Sequence, residues 1–260
     1  MIPISVEVRD SVRTIALERP EVKNALTRPL TVALRDAVLE AGRAPDTRVV
    51  ILTGHGGSFC SGADLKEGLA DPSVLADLDG AVRVFHDLVH AVTRCPKPII
   101  ALVDGPAVGF GCDLALACDL RVATDRAYFQ EKFVRIGLIP DGGGTFFLPR
   151  LVGLARAAEL MMLGDRLEAD EALRLGVVNR VAPPAQAEAV ARELAERLAH
   201  GPPLALRLMK DCMRESLGGG LGAALDRERE AQVRCLGSPD LMEGVMAFFE
   251  KREPRFEGEK

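Results

Sequence analysis

The chain has 260 residues, of which 48% are hydrophobic, and a formal net charge of −5. That is enough apolar mass for a large core without disulfide staples. The acidic balance and the lack of a long Lys/Arg run exclude nucleic acid as the main partner, and no uncharged apolar run reaches the 18 residues that a membrane helix needs.

Residues 4–17 alternate apolar and polar side chains and are predicted as two strands joined by an Asp10–Ser11 turn. The start has no basic-then-apolar leader pattern and the final "EGEK" carries no retention or peroxisomal address, so a cytoplasmic location is expected. "RPEVKNALT" breaks the pattern. A helix follows over about 29–43, with Leu30, Ala33, Leu34, Ala37, Val38 and Ala41 on one face. "RVVILTG" (48–54) is a continuous apolar run, as a strand buried on both faces would be. The glycine-rich "HGGSFCSGADL" comes next, then a helix over about 75–93. "KPIIALVDG" (97–105) is a second buried strand, "PAVGFG" a second glycine-rich loop, "CDLALACD" a short helix and "LRVATD" a strand. The recurrence of strand, glycine-rich loop and helix predicts an α/β fold with largely parallel pairing.

From about residue 186 the pattern is helical throughout, and Gly218–Gly220 separate the last two helices. The chain is therefore divided into a core, 1–190, and an all-helical region, 191–260, whose apolar stripes are expected to pack against another subunit. Cys60, Cys95, Cys112, Cys118, Cys212 and Cys235 have no CxxC spacing and are expected to be reduced, buried small hydrophobes.

The candidate chemistry is sparse. His86 and His90 in "HDLVH" approach a zinc-binding H-E-x-x-H, but Asp87 replaces the glutamate and only His55 and His200 remain as further imidazoles. A surface helix without metal is expected. There is no G-x-S-x-G, no phosphate loop and no dinucleotide fingerprint, which disfavours a serine nucleophile, ATP and NAD. Two glycine-rich turns remain, after Thr53 and after Asp104. Their backbone N–H groups suit an oxyanion hole, with a helix opening near Gly111 adding its dipole; the same glycines also suit ordinary strand-to-helix turns. Asp113, in the first turn of that helix, reads as a dipole-pairing carboxylate or as part of a site. Asp64 reads as turn support. Asp141, alone in the apolar "IGLIPDGGGTF", reads as a turn-former or as a base.

"SFCSGADLKE" (58–67), "KPIIALVDGPAVGFGCDLALACDLRVA" (97–123), "GLIPDGGGTFFLPRLVGLARAAELMMLG" (137–164) and "EALRLGVVNRV" (171–181), with "RPEVKNAL" and "FFEKREPRF" near the two ends, resemble the enoyl-CoA hydratase/isomerase, or crotonase, superfamily. The resemblance implies a stacked β-β-α superhelix with a C-terminal helical trimerisation region, and a homotrimer or a homohexamer made of two trimers. It implies an acyl-CoA thioester substrate, with coenzyme A part of the substrate and no separate cofactor. The backbones of Ala63 and Phe110 match the oxyanion-hole donors; Ala63, Asp64, Leu65 and Lys66 match the loop around the adenine end of CoA. Lys251 matches a position that approaches CoA from a neighbouring subunit.

Hydratases of the family hold water between two glutamates. The first position is Asp113 here and the second is Phe133, which carries no proton. Glu131 is two residues away, a displacement of about 7 Å along an extended strand. Asp141 matches the base of 1,2-epoxyphenylacetyl-CoA isomerases and dienoyl-CoA isomerases, and Phe133, Ile139, Phe146 and Phe147 are expected to raise its pKa. The expected activity is an acyl-CoA isomerase that moves a double bond or opens a ring epoxide by enolate-stabilised proton transfer. The alternatives are an enoyl-CoA hydratase or acyl-CoA hydrolase using Asp113 to position water, and a non-catalytic acyl-CoA binder. Residues 68–90 are expected to line the acyl pocket.

Overall fold

The computed structural model describes residues 2–216 and 218–258. β1 (Ile4–Arg9) and β2 (Val12–Leu17) pair antiparallel. Their turn residues, Asp10 and Ser11, both take positive φ (52° and 62°), as the tightest hairpins demand. Helix α1 (Arg28–Arg43) starts at Thr27, whose hydroxyl accepts the Leu30 N–H, and buries Leu30, Leu34, Val38 and Ala41. β3 (Val49–Gly54), β4 (Ile99–Val103), β6 (Leu120–Thr124) and β9 (Arg180–Ala182) extend the sheet in parallel, in the order β1-β2-β3-β4-β6-β9.

A second layer holds β5 (Pro106–Val108), β7 (Tyr128–Gln130) and β8 (Leu167–Glu168). β5 occupies the stretch expected as a loop. β4 and β6 each run on into a short strand of this second layer, and β3 does so through a parallel bridge between Cys60 and Ala107. The helices close each turn of the stack: α2 (Leu65–Ala70), α3 (Pro72–Ala76) and α4 (Leu78–Arg94) between β3 and β4, then α5 (Phe110–Ala117) between β5 and β6. α6 (Gly144–Val152), α7 (Leu154–Leu163) and α8 (Ala169–Arg174) precede β9. The single helix expected over about 75–93 is α4, preceded by two short helices. The break comes from Asp77, which caps α4 by accepting the Gly80 N–H.

Alternation explains the continuous apolar runs. In β3, Val50 and Leu52 face the main core, while Val49 and Ile51 face the opposite side with Ile100, Leu102 and Val122. That opposite side is covered by α9 (Pro184–Ala199), whose Ala187, Ala191, Ala195 and Ala199 recur every fourth residue and are buried against the sheet. The division expected at 190/191 therefore falls inside a core helix. Alanine stripes carry little apolar signal, so α9 reads as appendage in sequence although it is the lid of the sheet.

α10 (Pro203–Ser216), α11 (Leu221–Leu236) and α12 (Pro239–Glu250) follow. α10 is pinned by Lys210 and Arg214, both paired with Asp119 at 2.8 Å. These helices leave Met213, Leu221, Leu225, Leu236, Met242, Phe248 and Phe249 exposed. No helix among the described residues is long and apolar enough to cross a membrane. All six cysteines are free; Cys212 and Cys235 are half-buried on these outer helices and not core residues as expected.

One buried side chain ties the first loop to the loop after β3. Asn24, fully buried at φ 57°, accepts the Arg19 N–H and donates to the carbonyls of His55 (3.0 Å) and Ser58 (2.6 Å). Asn24→Ala is expected to cost about 2–4 kcal/mol in urea unfolding, because it strands both buried carbonyls. Asn24→Asp should cost more, since it turns a carboxylate onto them.

Candidate active site

The two glycine-rich loops are laced together. Phe59 and Cys60 N–H both reach the Pro106 carbonyl at 3.1 Å, and Val108 N–H reaches the Cys60 carbonyl at 2.9 Å. A Cβ on Gly111 would overlap the Cys60 carbonyl. Gly62 takes φ +94°, and a Cβ there would sit 2.8 Å from the Val108 carbonyl and 3.3 Å from the Phe110 nitrogen. The peptides that lead into Ala63 and Phe110 therefore lie side by side. Neither the Ala63 nor the Phe110 N–H donates to any described residue. Phe110 opens α5, one residue before the expected start, so its N–H is one of the donors a helix leaves unpaired. Its side chain is buried edge-on to Phe85 of α4, ring centres 4.6 Å apart.

Three carboxyl groups gather below this point. Asp113 on α5 is 0% exposed, and its Oδ2 accepts the Gly142 N–H at 2.8 Å. Glu131, 2% exposed, follows β7 and turns inward beside Asp113. The sequence expectation that Glu131 stands apart from the site is corrected: the chain tightens into a 3-10 turn at Lys132–Ile136, so extended spacing does not apply. Phe133 is buried there, close to Gly109. Asp141 is half-buried on the turn between Pro140 and Gly142, and its Oδ1 is sealed from solvent with no partner.

Burial pushes all three acids up. For Asp113 the rise is large, reinforced by the charge of Glu131 and opposed by the Gly142 N–H. Glu131 is raised to about 7, first by burial and then by the Asp141 charge, against the pull of Cys112 and Asp113 hydrogen bonding. Asp141 is raised by burial and partly offset by His86 of α4. The apolar surroundings expected for Asp141 are only half present. Phe133 is buried and Phe147 half-buried, but Ile139 is 77% exposed and Phe146 lies outside, with Arg150 over its ring at 3.7 Å.

Asp64 caps α2 by accepting the Glu67 N–H and pairs with Arg19 at 3.1 Å, so its carboxylate is already engaged. Leu65 and Lys66 are exposed on the first turn of α2. Lys251 is exposed at the end of α12 in the left-handed conformation (φ 55°). Neither lysine forms an ion pair among the described residues. His86 and His90 are both exposed on α4.

Residues 7–259 match the model of the enoyl-CoA hydratase/isomerase family. A protein named probable enoyl-CoA hydratase from Rhodobacter capsulatus is 40% identical, covering 98% of this chain and 98% of the relative. The 1,2-epoxyphenylacetyl-CoA isomerase of Escherichia coli is 38% identical over 96% of this chain and 97% of its own. The crystal structure of an enoyl-CoA hydratase from Bacillus anthracis superposes with a TM-score of 0.95, at 37% identity, covering 99% of this chain and 100% of that one.

Sequence reasoning missed the Asp113–Glu131 pair. Its trace in the sequence is Gly144: a Cβ there would overlap Asp113 Oδ1 and sit 2.8 Å from Glu131 Oε1. Gly144→Ala is expected to destabilise by about 1–3 kcal/mol through overpacking in a thermal melt. Thr145→Ala, one residue on and exposed, should leave the melt within about 0.5 kcal/mol of wild type.

Proposed function

We propose a proton-transfer isomerase activity on an acyl-CoA thioester for this chain, which belongs to the enoyl-CoA hydratase/isomerase family and has relatives named for CoA-thioester substrates. The observation that carries the reading is the sealing of Asp113. Both of its oxygens are turned from solvent and one is taken by Gly142, while Phe133 fills the second hydratase position. That arrangement disfavours a water held between two acids and supports isomerisation over hydration. Asp141 is left as the carboxylate with partial access, on a turn whose Gly142 lies against the Phe110 ring.

In this reading the thioester oxygen sits on the N–H groups of Ala63 and Phe110. Each aimed donor is worth about 2.7–4 kcal/mol of enolate stabilisation, and the N-terminus of α5 adds favourable potential. Asp141 takes a proton next to, or vinylogous to, the carbonyl and returns it to a different carbon. One carboxylate serves both steps and no water is consumed. Its raised pKa brings it closer to the working pH, where a general base is most effective. The Ala63–Lys66 segment and Lys251 are the proposed holders of the CoA end. The exposed apolar side chains of α10–α12 support assembly as a homotrimer or homohexamer, with Lys251 reaching a neighbour's substrate.

Asp141→Asn is expected to lower kcat by about 10²–10⁴-fold while acyl-CoA binding, followed by calorimetry, stays near wild type. Asp113→Asn should lose far less. Product formed in heavy-oxygen water should carry no solvent oxygen, and its incorporation at the β-carbon would return the reaction to hydration.

A further inference from the structure

We propose that Asp113 and Glu131 hold one proton between them, and that Glu131, acting through Asp113, is a positioning residue for the turn that carries Asp141. The positioning half rests on Asp141 being the base; the shared proton does not.

The geometry begins with unpaired oxygens. Asp113 Oδ1 and both Glu131 oxygens are sealed from solvent, and no described N–H or O–H group donates to them. Two ionised carboxylates side by side in a core would forfeit their hydration with only the Gly142 N–H in return. A single proton resolves this: Asp113 Oδ1–H donates to Glu131, and the resulting O–H···O⁻ bond is charge-assisted and strong. Gly144 makes the approach possible, because both oxygens press on the space where its Cβ would stand.

The charged and titratable groups facing the pair are few. The Cys112 thiol of α5 lies beside Glu131. Asp141 comes from the following turn, and His86 of α4 acts on Asp141 in turn. No Lys or Arg forms an ion pair with any of the three acids among the described residues. Asp141, the most exposed, ionises first, and its charge helps to hold the proton on the pair. Asp113 is then neutral, with Oδ1 bonded to Glu131 and Oδ2 fixed on the Gly142 N–H, the peptide that follows Asp141. Glu131 thus sets the orientation of Asp113, and Asp113 sets the turn.

The stability sign follows. At low pH both acids are protonated; Glu131, raised from 4.5 to about 7, gives up the second proton as pH rises through 7 and leaves the shared one on Asp113, which is raised further, whereas the unfolded chain has released both by then. This group's contribution is fully present below 4.5 and is lost as pH rises through 7. Glu131→Gln lacks the ionisation near 7, and Asp113, kept protonated by burial, donates to its amide oxygen. Its melting temperature should therefore gain on wild type as pH is raised across that window.

The test uses the full-length protein. Infrared difference spectra of wild type against Asp113→Asn above pH 7 should show the carbonyl stretch of one protonated carboxyl in wild type alone. No such band would overturn the shared proton, whatever Asp141 does. For positioning, proton exchange in deuterated buffer is followed on straight-chain and aryl enoyl-CoAs. Glu131→Gln should stay near wild type, whereas Glu131→Met should lose about 10²-fold in kcat with KM little changed, the penalty of a displaced base. A Glu131→Met enzyme with wild-type kcat, beside a dead Asp141→Asn enzyme, would overturn the positioning role and leave the base assignment standing. An active Asp141→Asn enzyme would remove the base and the positioning role together.

Discussion

The close approach of two backbone loops governs the rest of the site. The loop after β3 and the loop after β4 exchange hydrogen bonds at Cys60, Pro106 and Val108. That contact leaves no room for a Cβ at Gly62 or Gly111. It places two unpaired amides next to each other at the mouth of a helix, in a fold whose core is sealed on both faces of the main sheet. Preorganised donors need such rigidity, because amides that must reorient during reaction lose most of their advantage. Asn24 adds to it by binding the chain before α1 to the His55 and Ser58 carbonyls.

The acids beneath the amides show how burial sorts like groups into unlike roles. All three carboxyls are pushed upward, but by unequal desolvation. The least buried gives up its proton most readily, and its charge then holds protons on the others. Asp113, which the resemblance matches to the first hydratase position, is turned inward, towards Glu131 and Gly142. A residue can thus keep its place in the chain while its neighbours change its work.

Much of this is legible in the sequence, and the reasons differ by element. The runs at 48–54 and 97–105 announce strands buried on both faces because both faces are apolar. Asp10–Ser11 announces a tight turn by its residue types. The paired amides need two glycine loops to meet in space, which spacing alone leaves open; the family resemblance supplies that step. Glu131 escapes notice because an extended register was assumed for residues that form a 3-10 turn. The role of α9 escapes because alanine says little about which face is buried, so the 190/191 division cuts a core helix.

The helices between β3 and β4 have a consequence for how such a protein diversifies. α4 is anchored by Leu88, Ala91 and Val92, all in its C-terminal half, while Leu75, Leu78 and Val82 before them stand exposed. The first part of the segment expected to border the acyl group, before Phe85, therefore carries few contacts with the interior. Substitution at Leu75, Leu78 and Val82 costs the fold little, whereas Phe85 and His86 a turn further on are tied to Phe110 and Asp141, so this segment joins a permissive rim to a constrained interior.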